Sequence, residues 1–309
     1  KVGENAYIGT RTAPTPQNLA YSFNKDLAYE NGEIIIGETS LILNLPIIIG
    51  PGGNLHRHGY NGRGGEYYSE DPILSGYIGS AVVQGAQSKG CLVNIKHAAF
   101  NDQERNRSGI AVFRNEQKAR ELELRNLNAR FTAKGKPTSF YADKTKANTY
   151  KRGALGVRTS YNRIGAVASS ANHAVQQSIR REEWGFHGYS VTDFTGVSLK
   201  AAPKESILAG TCAFCGFGKP SLDYWNAESL TKDKAMANAI HTNIKYILYS
   251  LANSNALNGV NSSYKAYTVQ LNTWWRTAYK AAIITTSILT GAFVVLTGVF
   301  TFVRKKEEK

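Results

Sequence analysis

The stretch Gly188–Gly196, GYSVTDFTG, combines a short β-rich run with an acidic residue at its end. Tyr189 to Thr192 have the composition of a buried strand, and the small residues after Asp193 indicate where the strand ends. An Asp in this place is commonly a turn residue or a helix cap. The carboxyl ends of parallel strands also carry the working residues of many enzymes, so Asp193 is a candidate catalytic carboxylate.

Further segments repeat this pattern of an apolar run followed by polar or Gly-rich residues. These strand candidates are Leu45–Gly52, Cys91–His97, Gly153–Tyr161 and Ile207–Phe214. Helical patterns occupy Asn18–Leu43, Asn115–Ala133, Ser170–Glu183 and Lys232–Ala252. The alternation predicts an α/β fold with a parallel sheet. At 309 residues the chain suits one (β/α)8 TIM-barrel-like domain, which would be incomplete because only five strand candidates occur.

The net charge of +14 suggests attraction to nucleic acid or to anionic lipid. The basic residues are spread over a helical stretch from Lys118 to Arg152, and no nucleic-acid-binding motif occurs among them. We therefore expect a solvated basic face or attraction to lipid, and no nucleic-acid partner. Cys91, Cys212 and Cys215 contain one CxxC without a second metal-ligand pair, so we expect neither a metal nor another cofactor.

The C-terminal region contains an uncharged, mostly apolar run from Ala281 to Val303. This length is sufficient for a membrane-spanning helix, whereas a buried core helix rarely needs so long an uncharged run. Arg304 begins a basic tail over residues 304–309, and Trp274 and Trp275 precede the run. The positive-inside bias predicts a single-pass protein of the cell membrane with a cytoplasmic tail. Residues 1–259 would then form an extracytoplasmic domain, joined by a linker over 260–280.

Polar clusters follow several of the predicted strands. They are Arg57 with Arg63 and Glu66, the Lys96–His97 pair, residues 160–163, and Asp193. Charged and amide groups that converge on a carboxylate can hydrogen-bond to vicinal sugar hydroxyls. A glycoside-binding pocket is therefore one interpretation of these clusters.

The same clusters lie in motifs that resemble glycoside hydrolase family 3, the β-glucosidase family. The matching segments are GPGGNLHRHGYNGRGGEYYSEDPILSG (Gly50–Gly76), NIKHAAFNDQERNR (Asn94–Arg107), EQKARELELRN (Glu116–Asn126), TSYNRIG (Thr159–Gly165), RREEWGFHGYSVTDF (Arg180–Phe194) and ILYSLANSNALNG (Ile247–Gly259). Several long motifs in series form a far more specific signal than one short motif. The resemblance covers the chain from about Thr12 to Gly259.

The resemblance implies a role for each matched position. Asp193 corresponds to the nucleophile of a retaining mechanism. The residues that correspond to sugar-binding or pocket-supporting positions are Arg57, Arg63, Lys96, His97, Arg107 and Tyr161. Each also has a structural interpretation: His97 as a core histidine, Arg107 as a surface ion pair, and Tyr161 as a core aromatic. The expected substrate is a β-glucoside or an oligosaccharide with a terminal β-D-glucosyl or related residue.

A retaining glycosidase needs a second carboxyl group about 5–5.5 Å from the nucleophile. In β-glucosidases of this family that acid/base Glu belongs to an α/β sandwich domain, and nothing in this chain resembles that domain. The resemblance thus implies an upstream or separate partner domain. Two positions depart from the family pattern: Arg158 occupies a usual Met position, and Cys212 a usual Asp position.

Three other interpretations of these residues are considered. A barrel that lost its chemistry would be a non-catalytic, membrane-anchored carbohydrate-binding protein. The N-acetylglucosaminidase branch of the family is less favoured, because Lys96–His97 is not followed by the Phe-Pro-Gly loop of that branch. A metal site at His56, His58 and Glu66 is also less favoured, because this loop matches the sugar-binding region.

Overall fold

The computed structural model describes residues 14–42, 45–101, 103–133, 153–194, 203–216, 232–257 and 274–307. The chain divides into two compact units, Lys1–Asn258 and Gly259–Lys309. The first unit contains the sheet and the predicted site residues. The second contains the C-terminal helix. Residues 260–273 of the predicted linker lie outside the described residues.

The first unit is an α/β structure, which confirms the predicted class. Its described strands are β1 Ile47–Gly52, β2 Leu92–Ala98, β3 Ala111–Val112, β4 Gly156–Thr159, β5 Arg163–Ile164, β6 Val167–Ala168, β7 Tyr189–Phe194 and β8 Ala213–Cys215. Five of them form a parallel sheet in the order β1-β2-β4-β7-β8. The short strands β3, β5 and β6 form a second sheet.

Helices connect the strands of the parallel sheet. The described helices are α1 Pro16–Tyr21, α2 Lys25–Asn31, α3 Thr39–Ile42, α4 Pro72–Ser88, α5 Glu116–Lys118, α6 Leu124–Thr132, α7 Pro203–Leu208, α8 Lys234–Ala252 and α9 Trp274–Glu307. Two π-helical segments join neighbouring helices: Gly32–Glu38 lies between α2 and α3, and Ala119–Glu123 lies between α5 and α6. A third, Ala174–Glu183, stands between β6 and β7.

The core of the first unit surrounds β2. This strand lies between β1 and β4, and its residues Leu92 to Ile95 are buried. A nearly continuous apolar run, in which Asn94 is the polar residue, suits a strand that is covered on both faces. The main core cluster joins Val93 and Ile95 of β2 to Leu127 and Phe131 of α6. Because these strands are parallel, their carboxyl ends lie at the same edge of the sheet.

Helix α4 is the main helix that the hydrophobic pattern did not predict. Three glycines and several small polar residues weaken its helical signal, yet most of its residues are buried. Asp71 caps its N-terminus by accepting a hydrogen bond from the backbone N–H of Leu74 at 2.6 Å, and Pro72 occupies the first turn. At Gly85 a β-carbon would collide with the backbone oxygen of Tyr29 in α2. The small residues thus permit close approach of the two helices.

The structure corrects one strand boundary. The predicted strand Ile207–Phe214 is shorter, since Ile207 and Leu208 end α7 and the strand begins only at Ala213. Gly210, with φ +92°, reverses the chain between them. The apolar residues Ile207 and Ala209 are buried at the end of a helix rather than in a strand.

The (β/α)8 barrel stays a prediction. Within the described residues the parallel sheet is open, with β1 at one edge and β8 at the other. A closed barrel would require hydrogen bonding of both edges to further strands. The five strands follow one another in chain order, as successive βα units do.

Helix α9 forms the described part of the second unit. It begins at Trp274, before the predicted start at Ala281, and therefore includes residues that we expected in the linker. The segment Thr277–Arg304 is long and apolar enough to cross a membrane. This single helix is weak support for a membrane span, because length and composition alone identify it.

Candidate active site

Three of the predicted site residues lie at the carboxyl ends of two strands, and the others lie in loops that follow strands of the same sheet. Lys96 and His97 belong to β2, and Asp193 is the penultimate residue of β7. Between them, β4 carries Arg158, which is opposite Lys96 on one side and Val191 on the other. Strand register therefore brings together residues from distant parts of the sequence.

Asp193 is surrounded by positively charged side chains, and only 5% of its side chain is exposed. Its Oδ1 accepts hydrogen bonds from Arg158 Nη2 and from the backbone N–H of Phe194, the latter at 2.9 Å. Its Oδ2 lies 3.3 Å from His97 Nε2 and 3.8 Å from Arg107 Nη1. Neither of these two approaches has hydrogen-bond geometry. Hydrogen bonds thus hold Oδ1 in place, whereas Oδ2 is less constrained.

His97 is fixed both by its backbone and by its ring. Asn54 donates to the His97 carbonyl oxygen and accepts from its backbone N–H, each at 3.0 Å. Asn101 Nδ2 lies 3.3 Å from the ring Nδ1. If this amide donates to Nδ1, the neutral ring carries its hydrogen on Nε2, which faces Asp193.

The pKa of His97 lies well below its ordinary value. Burial is the largest cause, and the positive charges of Arg63, Lys96, Arg158 and Arg107 lower it further. Both effects disfavour the imidazolium form. His97 is therefore a neutral hydrogen-bonding group in this site near neutral pH.

A second group of charges contains Lys96 and Arg63. Lys96 Nζ lies 3.1 Å from Glu66 Oε2, and Arg63 Nη2 donates to both oxygens of Glu66 at 2.9 and 2.8 Å. Arg63 Nη1 also donates to Glu104 at 3.1 Å. Burial alone raises the pKa of Glu66, but the hydrogen bonds from Arg63 and Lys96 outweigh it and lower that pKa. These side chains form one half-exposed polar network.

Arg107 joins this network to Asp193. Its Nε lies 3.2 Å from Glu104 Oε1, while its Nη1 points towards Asp193. Its guanidinium also lies 4.6 Å from the centre of the Tyr161 ring, at cation–π distance. Burial and the charge of Asp193 raise the pKa of Tyr161, so its hydroxyl stays protonated. Arg107 and Tyr161 thus lie together beside the carboxylate.

Arg57 makes its ion pair elsewhere. Its Nη1 lies 3.2 Å from Oε1 of Glu123, a buried residue in the π-helical segment after α5. Arg114 Nε lies 3.5 Å from the same oxygen. Arg57 therefore links the loop after β1 to the helical layer. Its ion pair with Glu123 does not involve the other predicted site residues.

Three contributors to the site had no predicted role. Glu104 and Asn101 lie in the loop after β2, inside the matched segment Asn94–Arg107, but no role was predicted for them. Arg158 departs from the family pattern at a position where the resemblance implies a cation lining the sugar pocket, next to the nucleophile. Its contact with Asp193 spans 35 residues of sequence and depends on strand register. Its place before the TSYN motif indicated the pocket, but the ion pair itself could not be predicted from a local pattern.

Among the described residues, no group of three His, Cys, Asp or Glu side chains is arranged to hold a metal ion. His56 Nε2 instead lies 2.8 Å from the backbone oxygen of Gly64. Cys212 is close to Arg181, with 3.6 Å between Sγ and Nη2, and burial raises the pKa of its thiol. His56 and Cys212 thus each have a contact within the protein.

The chain is similar to characterised glycosidases. It is 32% identical over 218 residues to β-glucosidase A of Butyrivibrio fibrisolvens, a match that covers 71% of this chain and 24% of the relative. It is also 32% identical over 193 residues to exo-α-(1→6)-L-arabinopyranosidase of Bifidobacterium breve, which covers 61% of this chain and 23% of the relative. No family model matches the chain.

Among solved structures, β-glucosidase 3B from Thermotoga neapolitana, in complex with glycerol, resembles the chain with a TM-score of 0.66 and 26% identity. The similarity covers 84% of this chain and 35% of that structure. The chain thus spans about a quarter of the length of the curated relatives named above. It contains a partial β-glucosidase-like domain of glycoside hydrolase family 3.

Proposed function

We propose that this chain contributes to a glycoside hydrolase that releases terminal β-D-glucosyl or related residues with retention of configuration. The observation that carries the proposal is Asp193, a carboxylate at the end of β7 that lies among His97, Arg107 and Arg158. Asp193 acts as the nucleophile. Its Oδ2 attacks the anomeric carbon, the glycosidic bond breaks, and the sugar becomes an ester of Asp193.

The half-exposed network next to Asp193 suits recognition of the sugar. Lys96 and Arg63 supply hydrogen-bond donors, and Glu66, which they hold in place, supplies acceptors. Vicinal hydroxyls need donors and acceptors side by side. His97 offers its Nε2 hydrogen to the same hydroxyls, while Arg107 and Tyr161 form the wall beside the nucleophile.

The general acid is proposed to come from outside this chain. The contacts of Asp193 among the described residues are with cationic or histidine side chains and a backbone amide, and none is with a carboxyl group. Protonation of an ordinary leaving group requires such a second carboxyl group. An α/β sandwich domain, upstream or separate, supplies the Glu in this proposal.

The proposed location is the cell membrane. Helix α9 contains a segment that can span the bilayer, and basic residues 304–306 follow its apolar run. Positive charge after the span places the C-terminal tail in the cytoplasm and the sheet-containing unit on the extracytoplasmic side. The substrate would then be an extracytoplasmic β-glucoside or oligosaccharide.

A non-catalytic carbohydrate-binding role is the second candidate. The ion pair between Arg158 and Asp193 favours it, because a buried cation in contact with the nucleophile opposes loss of the carboxylate charge. In this case the polar network would still bind a sugar, but no bond would be cleaved.

Release of dinitrophenolate from 2,4-dinitrophenyl β-D-glucoside, whose leaving group needs no general acid, distinguishes the two candidates. The unchanged chain and Asp193→Ala are compared at equal concentration, with glucose binding measured by calorimetry on the same samples. A glycosidase loses turnover by more than about a thousandfold in Asp193→Ala. Equal, measurable release by the two proteins would contradict the nucleophile assignment, and glucose binding without any release by the unchanged chain would favour the second candidate.

A further inference from the structure

We infer that Arg158 holds Asp193 in an ion-paired resting state and thereby slows the first chemical step of the proposed reaction. This inference rests on the proposed function, and it concerns a residue that acts through Asp193. Arg158 is a positioning residue in this sense, because it contacts the nucleophile rather than the substrate.

The contact itself is buried on both sides. The side chains of Arg158 and Asp193 are 4% and 5% exposed, and Arg158 Nη2 donates to Asp193 Oδ1. The guanidinium also lies 4.2 Å from the centre of the Phe194 ring. Strand β4 and the ring of Phe194 thus keep the cation against the carboxylate.

The cost of this contact appears when Asp193 reacts. A lone pair on Oδ2 forms the bond to the anomeric carbon, and the electron pair of the glycosidic bond leaves with the departing oxygen. Asp193 then becomes a neutral ester, so the buried charge of Arg158 loses its partner. The transition state also carries positive charge on the sugar ring, which a nearby cation disfavours.

Arg158 is not needed to provide positive charge to the resting carboxylate. Arg107 Nη1 remains 3.8 Å from Oδ2, and the backbone N–H of Phe194 remains bonded to Oδ1. An uncharged side chain at position 158 would therefore leave Asp193 with a cation and a hydrogen-bond donor. We expect the nucleophile to be more reactive in such a variant.

The test uses 2,4-dinitrophenyl β-D-glucoside, whose leaving group departs as a stable anion and needs no general acid. The first-turnover release of dinitrophenolate reports formation of the ester. Arg158→Met is expected to raise the saturating rate of this release at least about tenfold, which corresponds to an activation barrier lower by about 1.4 kcal/mol. Arg158→Lys, which keeps the charge, should remain close to the unchanged chain.

Two further variants keep the result interpretable. Arg158→Gln is a second uncharged replacement that can still donate to Oδ1, and thermal melting verifies the fold of each protein. The double variant Arg158→Met with Asp193→Ala should lose all of the gain. A folded Arg158→Met or Arg158→Gln variant that reacts no faster than the unchanged chain would overturn the inference.

The outcomes separate this inference from the proposed function. If Asp193→Ala abolishes release but the uncharged variants give no acceleration, only the inference about Arg158 fails. If Asp193→Ala leaves release intact, the nucleophile assignment and the inference both fail. If the unchanged chain is silent and Arg158→Met reacts through Asp193, the inference is supported.

Discussion

At the scale of single residues, the site depends on charges held at short distance in a buried place. His97 illustrates the consequence, because four cations and burial act on one imidazole. Such a group stays neutral in the folded protein but titrates normally in the unfolded chain. Its folded pKa lies below the unfolded value of about 6.5, so it contributes stability above that pH.

We therefore predict that the chain loses stability on acidification through His97. As the pH falls below about 6.5, the unfolded chain binds a proton at His97 that the folded protein does not bind. The free energy of unfolding then falls by about 1 kcal/mol per pH unit. Denaturant midpoints at pH 7.5 and 5.5 measure the loss, and His97→Gln should show less of it. Glu66 loses its contribution only at lower pH, below about 4.5. Equal pH dependence in both proteins would contradict the assignment.

Some of the residues at the site could be predicted from the sequence. Asp193, Lys96 and His97 each end an apolar run, so their placement at strand ends follows from local pattern. The pairing of Arg158 with Asp193 follows only from the register of β4 against β7. Arg57 belongs to one of the matched motifs, but its guanidinium forms an ion pair with Glu123, a buried residue of the helical layer.

At the scale of secondary-structure elements, close contact between strands determines where the site residues lie. Asn94 of β2 donates to the hydroxyl of Tyr189 in β7 at 2.8 Å, across the start of β4. This is possible because position 156, at the beginning of β4, is a glycine. A β-carbon there would collide with Asn94 Oδ1.

Replacement of this glycine is predicted to destabilise the sheet. Gly156→Ala must displace the buried Asn94, and overpacking of this kind costs about 1–3 kcal/mol in unfolding free energy. Gly59→Ala is the matched control, since a β-carbon at that position meets no atom within 4 Å. Denaturant unfolding followed by circular dichroism measures both. Loss of stability no greater in Gly156→Ala than in the control would refute the packing argument.

Strands of the parallel sheet were more predictable than helices. The first four lie within or extend by one residue beyond segments that an apolar run identifies, because a buried parallel strand needs no polar face. Helix α4 was missed, since Gly76, Gly79 and Gly85 lower its intrinsic helical preference and its burial on several sides removes the amphipathic pattern. Tertiary contact, which the sequence does not display, stabilises it.

At the scale of the whole molecule, two units with different surfaces share one chain. The first has a buried core around β2, whereas α9 exposes apolar side chains such as Ile288, Phe293 and Phe300. The segment Thr277–Arg304 has 28 residues. A helix of this length extends about 42 Å, more than the roughly 30 Å of a bilayer core.

Removal of residues 274–309 is predicted to release the protein from membranes. The full chain should sediment with membranes and resist extraction at alkaline pH, because α9 remains in the bilayer. The shortened chain should be recovered in the supernatant. Immunoblots of both fractions measure the distribution. A full chain that alkaline treatment extracts would contradict the membrane-spanning assignment.

The central claim is that Asp193 forms a covalent bond to the sugar. The most direct test is mass spectrometry after incubation with 2,4-dinitrophenyl 2-deoxy-2-fluoro-β-D-glucoside, whose fluorine slows breakdown of the ester while its leaving group needs no acid. The account predicts one fluoroglucosyl group on the peptide that contains Asp193, and more rapid labelling in Arg158→Met. A label on another residue, or none on either protein, would contradict it.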